Sequence, residues 1–196
     1  MTVGGLILFH GAGGDRNHHS FLALEDGLDV EVARVDFPYR RKGQGRRPPD
    51  RMPRLIEAVI EAVEEWSKVW NLEPDQIVVG GRSMGGRAAS MAVAEGMKAR
   101  GLLLLSYPLH PTGKPDKLRV DHFDQITCPV LLIQGTRDPM GKPDELAEHL
   151  PHLGGPCQES WIDANHDPKG HDDDIVATVN QWMKELSGRR ARGPGD

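Results

Sequence analysis

Aromatic residues make up only 5% of the sequence, too few for a platform on which successive bases stack. A basic excess is missing too: 24 Lys and Arg stand against 29 Asp and Glu, a net charge of −5 with His neutral. That balance lacks the electrostatic footprint of a nucleic-acid binder. No apolar run approaches the ~18 residues that a membrane span needs. The opening MTVGGLILFHGAGG carries no basic n-region and its apolar run stops at Phe9, which speaks against a secretory signal. Cysteine is scarce. Cys128 and Cys157 form no CxxC and no metal-ligand spacing, so they are expected to be plain thiols in a reducing compartment, with a bridge between them left open. These absences leave a cytoplasmic globular chain of 196 residues, expected to bury ~70% of its extended surface without staples. One domain over residues 1–188 and a disordered tail over 189–196 are expected.

What is there reads as strands alternating with helices. Leu6–Phe9 is a solid apolar run ending in the Gly-rich HGAGG of residues 10–14. Val30–Phe37 mixes alternation with β-branched residues and stops before Pro38. Asp50 is the expected N-cap of a helix in which Ile56, Val59, Ile60, Val63, Trp66 and Trp70 recur at helical spacing. A strand over 76–79 is closed by Gly80-Gly81, and an Ala- and Met-rich helix follows over 84–97. Leu102–Leu105 reads as a central strand buried on both faces. Loop, with room for one short helix, fills 110–129. Strands over 130–133 and 159–162 flank a helix over 145–153. The last helix starts in Asp172-Asp173-Asp174, acids that suit a helix N-terminus, and buries Ile175, Val179, Trp182, Met183 and Leu186. The alternation predicts an α/β fold: a mostly parallel sheet of about six strands with helices on both faces. Reactive residues are then sought just after strands.

Ser83 stands in Gly81-Arg82-Ser83-Met84-Gly85, a G-x-S-x-G pentapeptide. With seven Ser and 23 Gly in the chain, chance alone gives roughly 0.1 such matches, so the motif weighs little by itself. Its setting, after a strand and opening a helix, is that of a nucleophile elbow. A serine hydroxyl needs a base, and the base needs an orienting acid. Asp138 follows the fifth strand and His166 the sixth, which is the chain order of such elbows. Asp36, Asp163 and Asp167 compete as the acid, but the last two crowd His166 in sequence. His171 competes as the base. The oxyanion donors are expected to be the backbone N–H groups of Met84 and Ala12, with Gly11 and Gly13 beside Ala12 as alternatives. HGAGG lacks the P-loop Lys-Ser/Thr and the G-x-G-x-x-G spacing, which disfavours a nucleotide. His18 and His19 are adjacent and cannot chelate from one helix face, and there is no H-E-x-x-H, so no metal is expected. The stretch from Arg40 to Arg54 holds seven Lys or Arg against one Asp and reads as solvated surface, with steering of anionic substrates as the alternative.

Beyond the elbow, the chain resembles the small α/β-hydrolases of the KANL/testis-expressed type, which are distantly similar to dienelactone hydrolases. The resemblance rests on HGAGG at 10–14, FPYR at 37–40, RRPPDR at 46–51, GGRSMGGR at 80–87, SYPLHPTGKPDKLR at 106–119, QGTRDPMG at 134–141 and NHDPK at 165–169. It implies an α/β-hydrolase fold with Ser83 as nucleophile, Asp138 as acid and His166 as base. It departs at the base: Asn165-His166-Asp167 stands where members tend to have Asp-His-Ser. A carboxylate at 167 would raise the pKa of His166 or compete with Asp138 for its ring N–H.

These residues predict acyl transfer to water with no cofactor, acting on a small-molecule acyl substrate. With only 110–129 available for a cap, the site should be shallow and open. Phe37, Tyr39, Tyr107 and His110 are expected to line the pocket. Arg82 is expected to pair with Asp138 or Asp163, or to hold a substrate carboxylate. A hydrolase-fold scaffold acting through its surface is the alternative, and acyl transfer to another acceptor a third reading. No nucleic acid or membrane partner is expected.

Overall fold

Strands of unbroken apolar residues need cover on both faces, and the chain supplies it. A computed structural model describes residues 2–41 and 48–188. Its strands are β1 (Gly5–Phe9), β2 (Glu31–Val35), β3 (Ile77–Arg82), β4 (Gly101–Leu105), β5 (Val130–Gly135) and β6 (Cys157–Ile162). They form one six-stranded sheet in the order β2-β1-β3-β4-β5-β6, every pair parallel. The helices are α1 (His19–Gly27), α2 (Pro38–Arg41), α3 (Met52–Trp70), α4 (Met84–Ala94), α5 (Pro143–His149) and α6 (Asp172–Gly188).

Strand alternation divides the core in two. Ile7, Phe9, Val79, Leu102 and Leu104 face α3 and α4, whereas Leu6, Leu8, Val78, Leu103 and Leu105 face α6 and α1. Each of these side chains is almost fully buried and contributes roughly 1.5–3 kcal/mol. In α3, Leu55, Ile56, Ala58, Val59, Ala62 and Val63 turn inward at helical spacing, and Asn71 ends the helix in the left-handed conformation at φ 52°. In α6, Ile175, Val179, Trp182, Met183 and Leu186 are the buried set, as the periodicity predicts.

The structure corrects several local readings. Arg51, not Asp50, is the N-cap of α3, and no side chain caps that end. β3 does not stop at Gly80 but runs on through Arg82. Its glycines lie against neighbouring backbone, since a Cβ on Gly81 would come within 2.2 Å of the Phe9 carbonyl oxygen. α4 ends at Ala94 rather than 97. α1 was unforeseen. It has nine residues, its buried set is only Ser20, Phe21 and Leu24, and His18 at its N-cap makes no capping bond. Too little periodicity is written there to see. Cys128 and Cys157 are free thiols, both pushed up by burial, to about 11 and about 12.

Two features of this frame position a site. The strand order reverses between β1 and β3, the point at which the carboxyl ends of a parallel sheet open a crevice. The β4–β5 connection, residues 106–129, contains only a 3-10 turn at Phe123–Gln125, so no cap rises from it over that edge. Among the described residues no helix is long and apolar enough to cross a membrane. Of the basic stretch 40–54, residues 42–47 lie outside the described residues, as do 189–196. Arg54 pairs with Glu57 and Glu61, and Arg40 with Asp15.

Candidate active site

Ser83 occupies the sharp turn between β3 and α4 with φ 53° and ψ −118°, a conformation an L residue adopts only under constraint. The constraint is packing. Gly85 is pressed against the end of β1, where a Cβ would stand 2.0 Å from the Phe9 carbonyl oxygen and 2.7 Å from that of His10. A Cβ on Gly11 would lie 3.3 Å from Ser83 Cβ, so the HGAGG loop passes directly beside the hydroxyl. Gly85→Ala is therefore expected to destabilise the chain by about 3 kcal/mol or more. A urea midpoint unchanged from the parent would contradict that packing.

The serine does not stand alone. Ser83 Oγ–H donates to His166 Nε2 at 2.9 Å, and His166 Nδ1–H donates to Asp138 Oδ2 at 2.7 Å. Ser83 is 9% exposed and Asp138 fully buried, while the His166 side chain retains 20% exposure. Gly135 permits this meeting, because a Cβ there would come within 2.5 Å of the carbonyl oxygens of Ala164 and Asn165. With no side chain at 135, the loops after β5 and β6 close on each other and bring Asp138 and His166 together. Asp138 accepts two further bonds, from Gln134 Nε2 at 3.0 Å and from the Met140 N–H at 2.9 Å. Asp36, Asp163 and Asp167 do not contact the imidazole of His166. Asp163 pairs with Arg137, and His171 faces Asp174.

A family model described as an alpha/beta hydrolase domain matches residues 3–188. The chain belongs to the α/β-hydrolase family. Solved structures share the fold at low identity. Est1E from Butyrivibrio proteoclasticus, with ferulic acid bound, is 17% identical over 96% of this chain and 91% of its own, with a TM-score of 0.78. Dienelactone hydrolase from Anabaena variabilis is 18% identical over 94% of this chain and 87% of its own, with a TM-score of 0.73. Monoacylglycerol lipase from Paleococcus ferrophilus is 16% identical over 94% and 95%, with a TM-score of 0.72. At these identities the likeness is one of fold.

In this α/β hydrolase, Gln134 is a residue that sequence reasoning missed. It is fully buried at the end of β5 and ties the loop after β4 to the loop after β5. Its Nε2 donates to Asp138 and to the carbonyls of Gly141 and Tyr107, and its Oε1 accepts the Tyr107 N–H at 2.7 Å. The available signal was a lone amide ending the apolar run VLLIQ. His10 was missed as well. Its Nε2 accepts the Phe37 N–H at 3.2 Å, so its proton sits on Nδ1, which donates to the Gly11 carbonyl at 2.8 Å. Burial lowers its pKa, and the neutral ring braces the HGAGG loop from below.

The expected pocket lining is corrected. Phe37 and Tyr107 are 0% and 1% exposed and belong to the core. Phe37 packs on Phe9, and Tyr107 packs on Phe123 while its hydroxyl donates to the Arg119 carbonyl. Tyr39 is nearly as buried, stacked on Phe37 and edge-on to His10. Aromatic residues after strands plug the core here instead of offering surface. His110 is buried too, with Nε2 3.4 Å from Glu145 beside a surface cavity of about 310 Å³.

Arg82 pairs with neither Asp138 nor Asp163. Its Nη2 donates to the His166 carbonyl at 2.8 Å and lies 3.7 Å from Asp167. Asp167 itself turns away from the imidazole of His166. Burial opposes its ionisation, but His19, Arg82 and His18 outweigh that and hold its carboxyl below the usual carboxylate range. The competition at His166 expected from sequence does not arise.

Proposed function

We propose that this α/β hydrolase is a serine hydrolase of the KANL/testis-expressed-like group, cleaving a small ester, thioester or lactone through an acyl-enzyme on Ser83. The observation that carries this reading is the unbroken relay from Ser83 Oγ through His166 to buried Asp138, at 2.9 and 2.7 Å.

In this mechanism Nε2 of His166 takes the hydroxyl proton as Ser83 Oγ bonds to the acyl carbon. Asp138 holds the proton on Nδ1, which leaves the Nε2 lone pair facing the serine, and then stabilises the imidazolium. The carbonyl becomes an oxyanion. Met84 N–H, at the first turn of α4 where an N–H has no intrahelical acceptor, is the proposed first donor. Ala12 N–H, in the loop beside Ser83, is the proposed second donor. One such donor is typically worth ~3–4 kcal/mol of barrier. The tetrahedral species collapses by breaking the bond to the leaving oxygen or sulfur, which takes the proton from Nε2. Water then gives a proton to Nε2 and attacks the acyl carbon. The second collapse releases the acid and returns the proton to Ser83.

Shape supports the proposed substrate class. With no cap rising from 106–129, little surface is available to cover a long acyl chain, and the near-complete burial of Phe37, Tyr39 and Tyr107 takes away the expected aromatic wall. Short or exposed acyl groups suit such a site. A panel of esters, thioesters and lactones graded by acyl length tests this. Turnover is expected to be greatest for acyl chains of a few carbons and to fall with length. A preference for long-chain substrates would overturn the substrate class.

A further inference from the structure

We propose that His18, His19 and Asp167 form a binding site for one divalent transition-metal ion of the zinc class, separate from the Ser83 relay. The site fastens the loop that carries His166 to the start of α1.

The residue pair looked unable to chelate, because neighbours on a helix point apart. His18 is not on the helix. It is the N-cap of α1, with ψ 136°, and its ring lies 4.2 Å from that of His19. Both Nε2 atoms therefore reach the same oxygen, Asp167 Oδ1, at 3.1 and 3.2 Å. One ligand atom from each of the three residues lies within 4.8 Å of the others. A tetrahedral ion with bonds of about 2.05 Å separates its ligands by roughly 3.3 Å, close to the two contacts seen. Two imidazoles and a carboxylate suit zinc, leaving a fourth position for water.

The far side of His19 makes the case. Its Nδ1 faces both oxygens of Asp172, at 2.7 and 2.9 Å. A carboxylate in that position holds the ring proton on Nδ1, the outer-shell arrangement that orients metal-bound histidines. With Nδ1 turned to Asp172, His19 Nε2 points at Asp167 Oδ1 from 3.2 Å. A cation between them bridges the two atoms. A proton would serve a single pair, whereas His18 Nε2 converges on the same point. The other cations near Asp167 do not close the site. Arg82 stands 3.7 Å from Oδ1, and Lys169 stands 3.7 Å from Oδ2. Asp167 and Asp172 are matched in charge by Arg82 and Lys169, so the pull on a divalent ion comes from the three converging ligand atoms.

The test uses tag-free protein stripped with a chelator. Calorimetric titration with Zn²⁺ is expected to give one ion per chain. At a Zn²⁺ concentration near 100 Kd the melting midpoint should rise by roughly 5–10 °C, while Mg²⁺ leaves it unchanged. Co²⁺ should give the visible bands of a four-coordinate site. His19→Gln and Asp167→Asn should each weaken binding at least tenfold, and Asp172→Asn by about 10–100-fold. His149→Gln, in the His149–His152 ring pair, should bind as the parent does. Should one variant fail to fold, His18→Gln takes its place in the comparison. Absence of stoichiometric Zn²⁺ binding would overturn the proposal. So would binding that survives both His19→Gln and Asp167→Asn.

Discussion

Ser83→Ala is expected to lower ester turnover by roughly 10⁴–10⁶-fold and to leave the melting midpoint within about 1 °C of the parent. The two halves of this result have separate causes. Under the proposed mechanism turnover falls because Ala offers no atom for the acyl bond. Stability holds because Ala, like Ser, sits uneasily at φ 53°, so the strain of the turn is unchanged, and the lost hydroxyl made its bond at a partly open site. Ser83→Gly separates strain from chemistry. It should be equally inactive yet more stable by about 1 kcal/mol, since Gly adopts that backbone without cost. Turnover that survived Ser83→Ala would remove Ser83 from the mechanism.

Asp138→Asn is expected to lower turnover by roughly 10⁴-fold, and Asp167→Asn by less than tenfold. Three donors converge on Asp138: His166 Nδ1–H, Gln134 Nε2–H and the Met140 N–H. A carboxylate satisfies all of them. An amide must turn its own N–H groups toward one oxygen position. If it faces His166, the ring proton moves to Nε2, where it can no longer accept from Ser83. If it faces Met140, a buried donor is left unpaired, at about 1–3 kcal/mol. Some loss of stability should therefore accompany the loss of turnover in Asp138→Asn, and a thermal melt beside the kinetics separates the two. Asp167 Oδ1 lies against the Nε2 atoms of His18 and His19 instead, and Asp167 makes no bond to the imidazole of His166. Should Asp167→Asn prove the more damaging change, the acid would be misplaced.

The parts of this site visible in the sequence are those that a parallel sheet dictates. Parallel strands deliver their following residues to one edge, so a serine after β3, an aspartate after β5 and a histidine after β6 meet without any knowledge of side-chain packing. The glycines at 81, 85 and 135 were visible as letters, but their purpose was not. Each admits a carbonyl to within 2.5 Å of where a Cβ would stand, and such clearances exist only in three dimensions. Gln134 was hidden because one amide in an apolar strand carries no pattern. Phe37, Tyr39 and Tyr107 were misplaced because position after a strand does not say whether a ring faces the crevice or the core. α1 was hidden by the shortness of its apolar face, and with it the turn that brings His18 and His19 to Asp167.

Labelling with a fluorophosphonate probe, followed by peptide mapping, tests the central claim most directly. The relay predicts one covalent label, on Ser83, lost in Ser83→Ala and strongly reduced in His166→Ala. A folded protein that takes no label, or takes it on another residue while turning over esters, would contradict it.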